Sequence, residues 1–183
     1  MLKGQKIIPA IGNHQDMKRF LSTSLTYGLL MNFQLAQLPE LIELMRKNQK
    51  KILIHSELIK GLSSDEFGAI YLIQSLKVDG IISSKPKVIE ICKKRGVIGI
   101  LRFFLKDTVS LNHSLEIAQK IEPDYLEILP ALSIEIIPVI KNAIHTEILM
   151  GGLLQTKEQI CRCLSHGAVA VTTSNPAFWD MTC

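Results

Sequence analysis

Residues 147–179 read EILMGGLLQTKEQICRCLSHGAVAVTTSNPAFW. Two short apolar runs each end in small residues that expose the backbone. Gly151 and Gly152 close the first, and Thr172, Thr173, Ser174 and Asn175 close the second. A helix-length segment, Lys157 to Ser165, lies between them, so the stretch predicts a βαβ unit. Paired glycines leave N–H groups open to an approaching anion. Asn175 before Pro176 predicts a helix N-cap with proline at the first helical position, which aims the positive end of a short terminal helix at the same place. In (β/α)8 barrels a phosphate site lies after strands seven and eight, beside a short extra helix. The fold therefore turns on whether the preceding residues supply six more strands.

They do. Strands are predicted at Ile7–Ile11, within the apolar run Leu25–Asn32, and at Lys51–His55, Asp79–Ser83, Val97–Phe103 and Asp124–Leu129. Glu147–Met150 and Ala168–Thr172 follow as strands seven and eight. Helical periodicity fills the gaps at Asp16–Ser24, Leu38–Asn48, Lys87–Arg95 closed by Gly96, Ser110–Ile121 and Ser133–Ala143. One more helix is predicted from Ser63, with a capping box between Ser63 and Glu66, running to Leu76. Strict β-α alternation predicts a parallel sheet, and eight strands ending in a phosphate signature predict a closed (β/α)8 TIM-type barrel. At 183 residues it is compact beside the roughly 250 typical of the class, so the last helix is shortened. No linker or repeat divides residues 1–183, which read as one domain.

The apolar fraction of 47% with evenly spread charge excludes a disordered chain. No apolar run reaches the roughly 18 residues of a membrane span, and the N-terminus has no signal-peptide pattern. A cytoplasmic protein with no membrane partner is predicted. The net charge of +4 gathers in Lys47, Lys50 and Lys51, in Lys85 and Lys87, and in Lys93, Lys94 and Arg95. Such clusters are ordinary at solvated helix ends and also permit contact with nucleic-acid phosphates. Cys92, Cys161, Cys163 and Cys183 show no zinc-ligand spacing and are expected as reduced thiols.

Function in a parallel barrel sits at the C-terminal strand ends. The polar residues there are Asn13, Asn32, His55, Glu57, Ser83, Ser84, Arg102, Glu127, Gly151, Gly152, Thr173, Ser174 and Asn175. Period-two alternation turns Ile100, Arg102, Tyr125 and Glu127 inward. Arg102 and Glu127 on neighbouring strands are either a buried ion pair or ligand contacts; His55 is either a satisfied core histidine or a ligand contact; Asn32 could cap its own loop. No strand ends in a Schiff-base lysine, and no carboxylate cluster has divalent-metal spacing. No cofactor is expected, and a pocket for a small phosphorylated polyol fits this inventory better than an equipped active site.

Seven segments, in order along nearly the whole chain, resemble one family: IIPAIGN, IHSELIKGLSSDEFGA, DGIISSKPKVI, the run Arg102-Phe103-Phe104 continuing to Asp107, DYLEILPA, MGGLLQT and GAVAVTTSN. They resemble the glycerol-3-phosphate-responsive antiterminators. The resemblance implies a barrel that binds glycerol 3-phosphate as effector and then acts on leader mRNA so that transcription reads through a terminator. The family pattern has arginine where this chain has Gly12, aspartate where it has Glu57, and arginine where it has Gln155. On this reading Gly151, Gly152, Thr173, Ser174 and Asn175 hold the phosphate. The glycerol hydroxyls fall to some of Asn13, Asn32, His55, Glu57, Arg102 and Glu127. Ligand binding is expected to order the long loop from Glu57 to Ser63, and assembly into a homo-oligomer is left open. The competing reading is a barrel enzyme acting on a small phosphorylated substrate, with Glu57 or Glu127 as base and His55 as electrophile or acid. A third is a structural barrel that has lost its ligand.

Overall fold

The computed structural model describes residues 2–183. Eight parallel strands close into one barrel in sequence order, with β8 pairing back onto β1. The strands are β1 (Ile7–Ile11), β2 (Tyr27–Leu30), β3 (Lys51–His55), β4 (Gly80–Ser83), β5 (Ile98–Phe104), β6 (Tyr125–Leu129), β7 (Glu147–Gly151) and β8 (Ala170–Thr173). The helices are α1 (His14–Ser22), α2 (Leu38–Lys47), α3 (Glu66–Ile70, continuing as a π-helical turn over Tyr71–Ser75), α4 (Pro86–Arg95), α5 (Thr108–Ile121), α6 (Ile136–Ala143) and α7 (Lys157–Ser165). The (β/α)8 expectation holds.

Alternation along each strand builds two cores. Ile8, Ala10, Tyr27, Leu29, Leu53, Ile82, Ile100, Tyr125, Leu149 and Ala170 fill the barrel, while their neighbours pack outward against the helices. Beneath, the buried Leu2 closes the barrel floor, its amide donating to the Tyr125 hydroxyl at 3.1 Å. Advancing two residues from the interior apolar layer gives Gly12, Met31, His55, Ser84, Arg102, Glu127, Gly151 and Thr172. The period of two thus places one residue from each strand in a ring at the C-terminal mouth.

Four local expectations change. Helix α3 is capped by Asp65, whose carboxylate accepts from Gly68 N at 2.9 Å, while the Ser63 hydroxyl donates to Asp65 at 2.5 Å. A carboxylate is the stronger acceptor for a helix amide, so the cap sits two residues beyond the predicted Ser63–Glu66 box. The terminal helix is a single 3-10 turn, Pro176–Phe178. Its predicted cap is present, Asn175 accepting from Ala177 N at 3.0 Å, but one turn carries little macrodipole. The loop from Glu57 to Ser63 is ordered by the protein itself. Asn32 N donates to Leu58 O, Lys60 N to Phe33 O and Leu35 N to Lys60 O, and Ile59 is buried, so the loop is strapped to the β2 exit.

The fourth change is at the cysteines. Cys161 and Cys183 form a disulfide, with Cα atoms 5.4 Å apart, and only Cys92 and Cys163 remain as buried thiols. Buried Trp179, whose indole donates to Thr173 O at 3.0 Å, turns the tail back toward α7 and carries Cys183 to its partner. Burial pushes the Cys92 thiol up to about 12 and that of Cys163 up to about 11.

Candidate functional site

The ring at the mouth holds a chain of polar side chains, hydrogen-bonded except where His55 faces Glu57. Arg102 and Glu127 stand directly opposite each other on β5 and β6, and Arg102 Nε donates to Glu127 Oε2 at 2.5 Å. Glu127 is fully buried and the Arg102 side chain is 10% exposed, so of the two sequence alternatives the structure shows the buried ion pair, with Arg102 at the edge of a cavity. The second carboxylate oxygen, Glu127 Oε1, accepts from Thr172 Oγ1 at 2.5 Å. Arg102 Nη1 also contacts His55 Nε2. A guanidinium has only donors, so His55 Nε2 must accept and the ring proton sits on Nδ1. That nitrogen faces Glu57 Oε2 at 3.3 Å, off the line of a hydrogen bond, and has no other partner among the described residues.

Glu57 ends the chain. Its Oε1 accepts from Ser83 Oγ at 3.0 Å, Ser84 N at 2.5 Å and Ser84 Oγ at 2.7 Å, and its Oε2 accepts from Ser56 Oγ at 3.0 Å. Burial pushes the Glu57 carboxyl up, but interactions with His55 and hydrogen bonds from the Ser84 side chain and backbone together outweigh it and hold the group well below the usual carboxylate range. Every oxygen in the chain is engaged by a donor. None of His55, Glu57 and Glu127 has an unengaged basic atom aimed at open space.

Beside this chain lies a cavity of about 250 Å³, lined on its polar side by Arg102, Gly152, Thr172, Thr173, Ser174 and Asn175 and on its apolar side by residues including Ala10, Leu29, Met31 and Leu129. It lies below the roughly 300 Å³ at which drug-sized ligand pockets begin, which selects for a small ligand. Gly152 and Leu153 take left-handed backbone conformations, φ 77° and 59°. Leu153, 64% exposed, carries this strain at the mouth of the cavity.

Five of the eleven residues expected from sequence line this cavity: Arg102, Gly152, Thr173, Ser174 and Asn175. His55, Glu57 and Glu127 stand behind Arg102 and orient it. Gly151 serves the same chain, because a Cβ there would strike Thr172 Oγ1 and stand 3.0 Å from Glu127 Oε1. Asn13 and Asn32 lie apart. Asn13 caps α1, accepting from Asp16 N at 2.9 Å, and the exposed Asn32 holds a left-handed turn at φ 64°. Thr172, which sequence groups with the small residues closing strand eight but not with the ligand contacts, also lines the cavity; its alternation with Ala170 signals an inward hydroxyl.

Residues 7–179 match the sequence model of the glycerol-3-phosphate responsive antiterminators. The chain belongs to that family. It is 34% identical to the glycerol uptake operon antiterminator regulatory protein from Listeria monocytogenes, whose crystal structure superposes with a TM-score of 0.93 over 97% of this chain and 96% of that one. A glycerol uptake operon antiterminator-related protein from Thermotoga maritima shares the fold at 22% identity, TM-score 0.81, over 97% of this chain and 99% of that one. An Escherichia coli protein described as uncharacterized, YgcP, is 24% identical over 182 residues, covering 99% of this chain and 95% of its own length. No helix among the described residues is long and apolar enough to cross a membrane.

Proposed function

We propose that this protein is a glycerol 3-phosphate-sensing antiterminator that binds leader mRNA of glycerol-utilisation operons and promotes read-through. The observation that carries the ligand half is the small cavity where Arg102 meets the Gly152 turn and the Thr173-Ser174-Asn175 turn. Phosphate lies against those two turns, where backbone amides and hydroxyls are its donors, and the Arg102 N–H groups not spent on Glu127 and His55 supply positive charge. The glycerol carbons lie against Ala10, Leu29 and Met31. Family membership supports the regulatory half. So does the engagement of Glu127 by Arg102 and Thr172 and of Glu57 by Ser56, Ser83 and Ser84, with the remaining His55 N–H buried, because general acid-base work needs an atom free to exchange a proton with substrate.

Calorimetric titration with glycerol 3-phosphate, against glycerol and inorganic phosphate as controls, tests the ligand. Binding at least about tenfold tighter than either fragment is expected, since the two turns and the apolar wall each contribute. Ser174→Ala should weaken it with unchanged melting temperature, and Asn175→Ala should weaken it with a small fall in melting temperature from the lost cap on Ala177 N. Affinity no better than that for inorganic phosphate would defeat the reading.

A further inference from the structure

The basic clusters differ in what their charges already do. In the first, Lys50 Nζ donates to the carbonyls of Thr23 and Leu25 at 2.6 and 2.7 Å and stands 5.1 Å from the centre of the Phe20 ring. Lys51 pairs with Asp79 at 2.8 Å and Lys47 with Glu43 at 2.7 Å. Lys50 is thus tied to the fold, and the charges of Lys47 and Lys51 are each paired with a carboxylate. The other two flank α4, with Lys85 at its N-cap, Lys87 in its first turn, and Lys93, Lys94 and Arg95 in its last. Lys93 is held by Glu122 and the carbonyl of Ile121. Lys85, Lys94 and Arg95 make no ion pair or side-chain hydrogen bond among the described residues. Lys87 has only a 3.9 Å approach to Glu66, with its side chain 79% exposed.

That approach places the first turns of α3 and α4 side by side. The outward face of α3 carries Phe67, 74% exposed, and Tyr71, 38% exposed, one helical turn apart. These are two of the three aromatic side chains that the described residues leave exposed, the third being Phe104. Flat rings beside uncommitted cations match a single nucleic-acid strand, whose bases stack on aromatics while its phosphates take the lysines. The same face joins the cavity. Ser84, whose amide and hydroxyl are held by Glu57, directly precedes the α4 cap at Lys85, and Glu57 leads through His55 to Arg102.

We propose that the α3–α4 face, with Phe67, Tyr71, Lys87 and Lys94, is the surface that takes single-stranded RNA. The assignment rests on the antiterminator function proposed for the cavity and its family. The test is fluorescence anisotropy of a labelled single-stranded leader transcript from a glycerol-utilisation operon, titrated with the full chain at saturating glycerol 3-phosphate. Replacing both rings, Phe67→Ala with Tyr71→Ala, should weaken binding at least about tenfold. Lys87→Glu with Lys94→Glu should make the log–log salt dependence shallower by about 1.4, roughly 0.7 for each phosphate no longer neutralised. Calorimetric affinity for glycerol 3-phosphate should be unchanged in both variants. Tight wild-type binding that both variants retain puts the RNA on another face and overturns this proposal alone. A wild-type protein that binds glycerol 3-phosphate but not the transcript overturns the antiterminator reading and the face together. If the ring variant turns a dimer into a monomer in sedimentation while RNA affinity stands, the face seats a second copy and the assignment is wrong.

Discussion

Glu57 shows how much of the mouth is held by single groups. Its carboxyl is held below the usual range in the folded chain, against an ordinary value of 4.5. A depressed folded value means its contribution is fully present above the unfolded value and is lost as pH falls through the folded one. The melting temperature of the wild type should therefore drop faster than that of Glu57→Gln between about pH 5 and pH 2. At neutral pH the variant should be less stable by about 1–3 kcal/mol, because Ser83 and Ser84 lose a charged acceptor. Parallel slopes on acidification would contradict this assignment. The glycines at the mouth differ as sharply. Gly151→Ala drives a methyl into Thr172 and Glu127 and should cost about 1–3 kcal/mol in urea unfolding. Gly12→Ala meets nothing closer than Asn32 Nδ2 at 3.5 Å and should change stability by about 0.5 kcal/mol or less. The inward group of Arg102 and Glu127 was legible from alternation alone. The partners of His55 and Gly151 were not: Arg102 stands 47 residues from His55 in the chain, and Thr172 and Glu127 reach Gly151 from two other strands.

Among elements, strand positions were the most legible feature, because alternation and the glycine or polar residue closing each apolar run are local signals. Strands β1 and β3 lie where sequence places them, and helix ends moved by a few residues where a better cap competed, as Asp65 did with Ser63. The disulfide between α7 and the tail had no local signal. Cys161 and Cys183 are 22 residues apart, and only the packing of Trp179 brings them together. Thiol labelling checks the arrangement. Native protein at pH 8 should take up almost no iodoacetamide, since Cys92 and Cys163 are buried with thiols pushed up to about 12 and about 11. Mild reduction should expose Cys161 and Cys183 to label, and reduction in denaturant should expose all four cysteines. Labelling of Cys161 before reduction would mean the bond is not formed.

Across the whole molecule, the chain from Thr172 through Glu127, Arg102, His55 and Glu57 to Ser84 spans the mouth from β8 to the start of α4. On the proposed function, phosphate takes the Arg102 N–H groups not spent on Glu127 and His55, and drawing the guanidinium toward it pulls on the His55 contact. Any shift there reaches Glu57, and with it the turn that leads into α4. If ligand and RNA are coupled by this route, the coupling is reciprocal: the factor by which glycerol 3-phosphate tightens RNA binding must equal the factor by which RNA tightens glycerol 3-phosphate. A tenfold factor in each direction corresponds to about 1.4 kcal/mol. His55→Ala severs the chain between its two carboxylates without removing a residue that lines the cavity. The expected result is a coupling factor close to one, measured by titrating RNA with and without glycerol 3-phosphate, while the variant still binds each partner alone. A coupling factor equal to that of the wild type would show that ligand and RNA communicate by another path, because an intact response cannot pass through an imidazole that is no longer there.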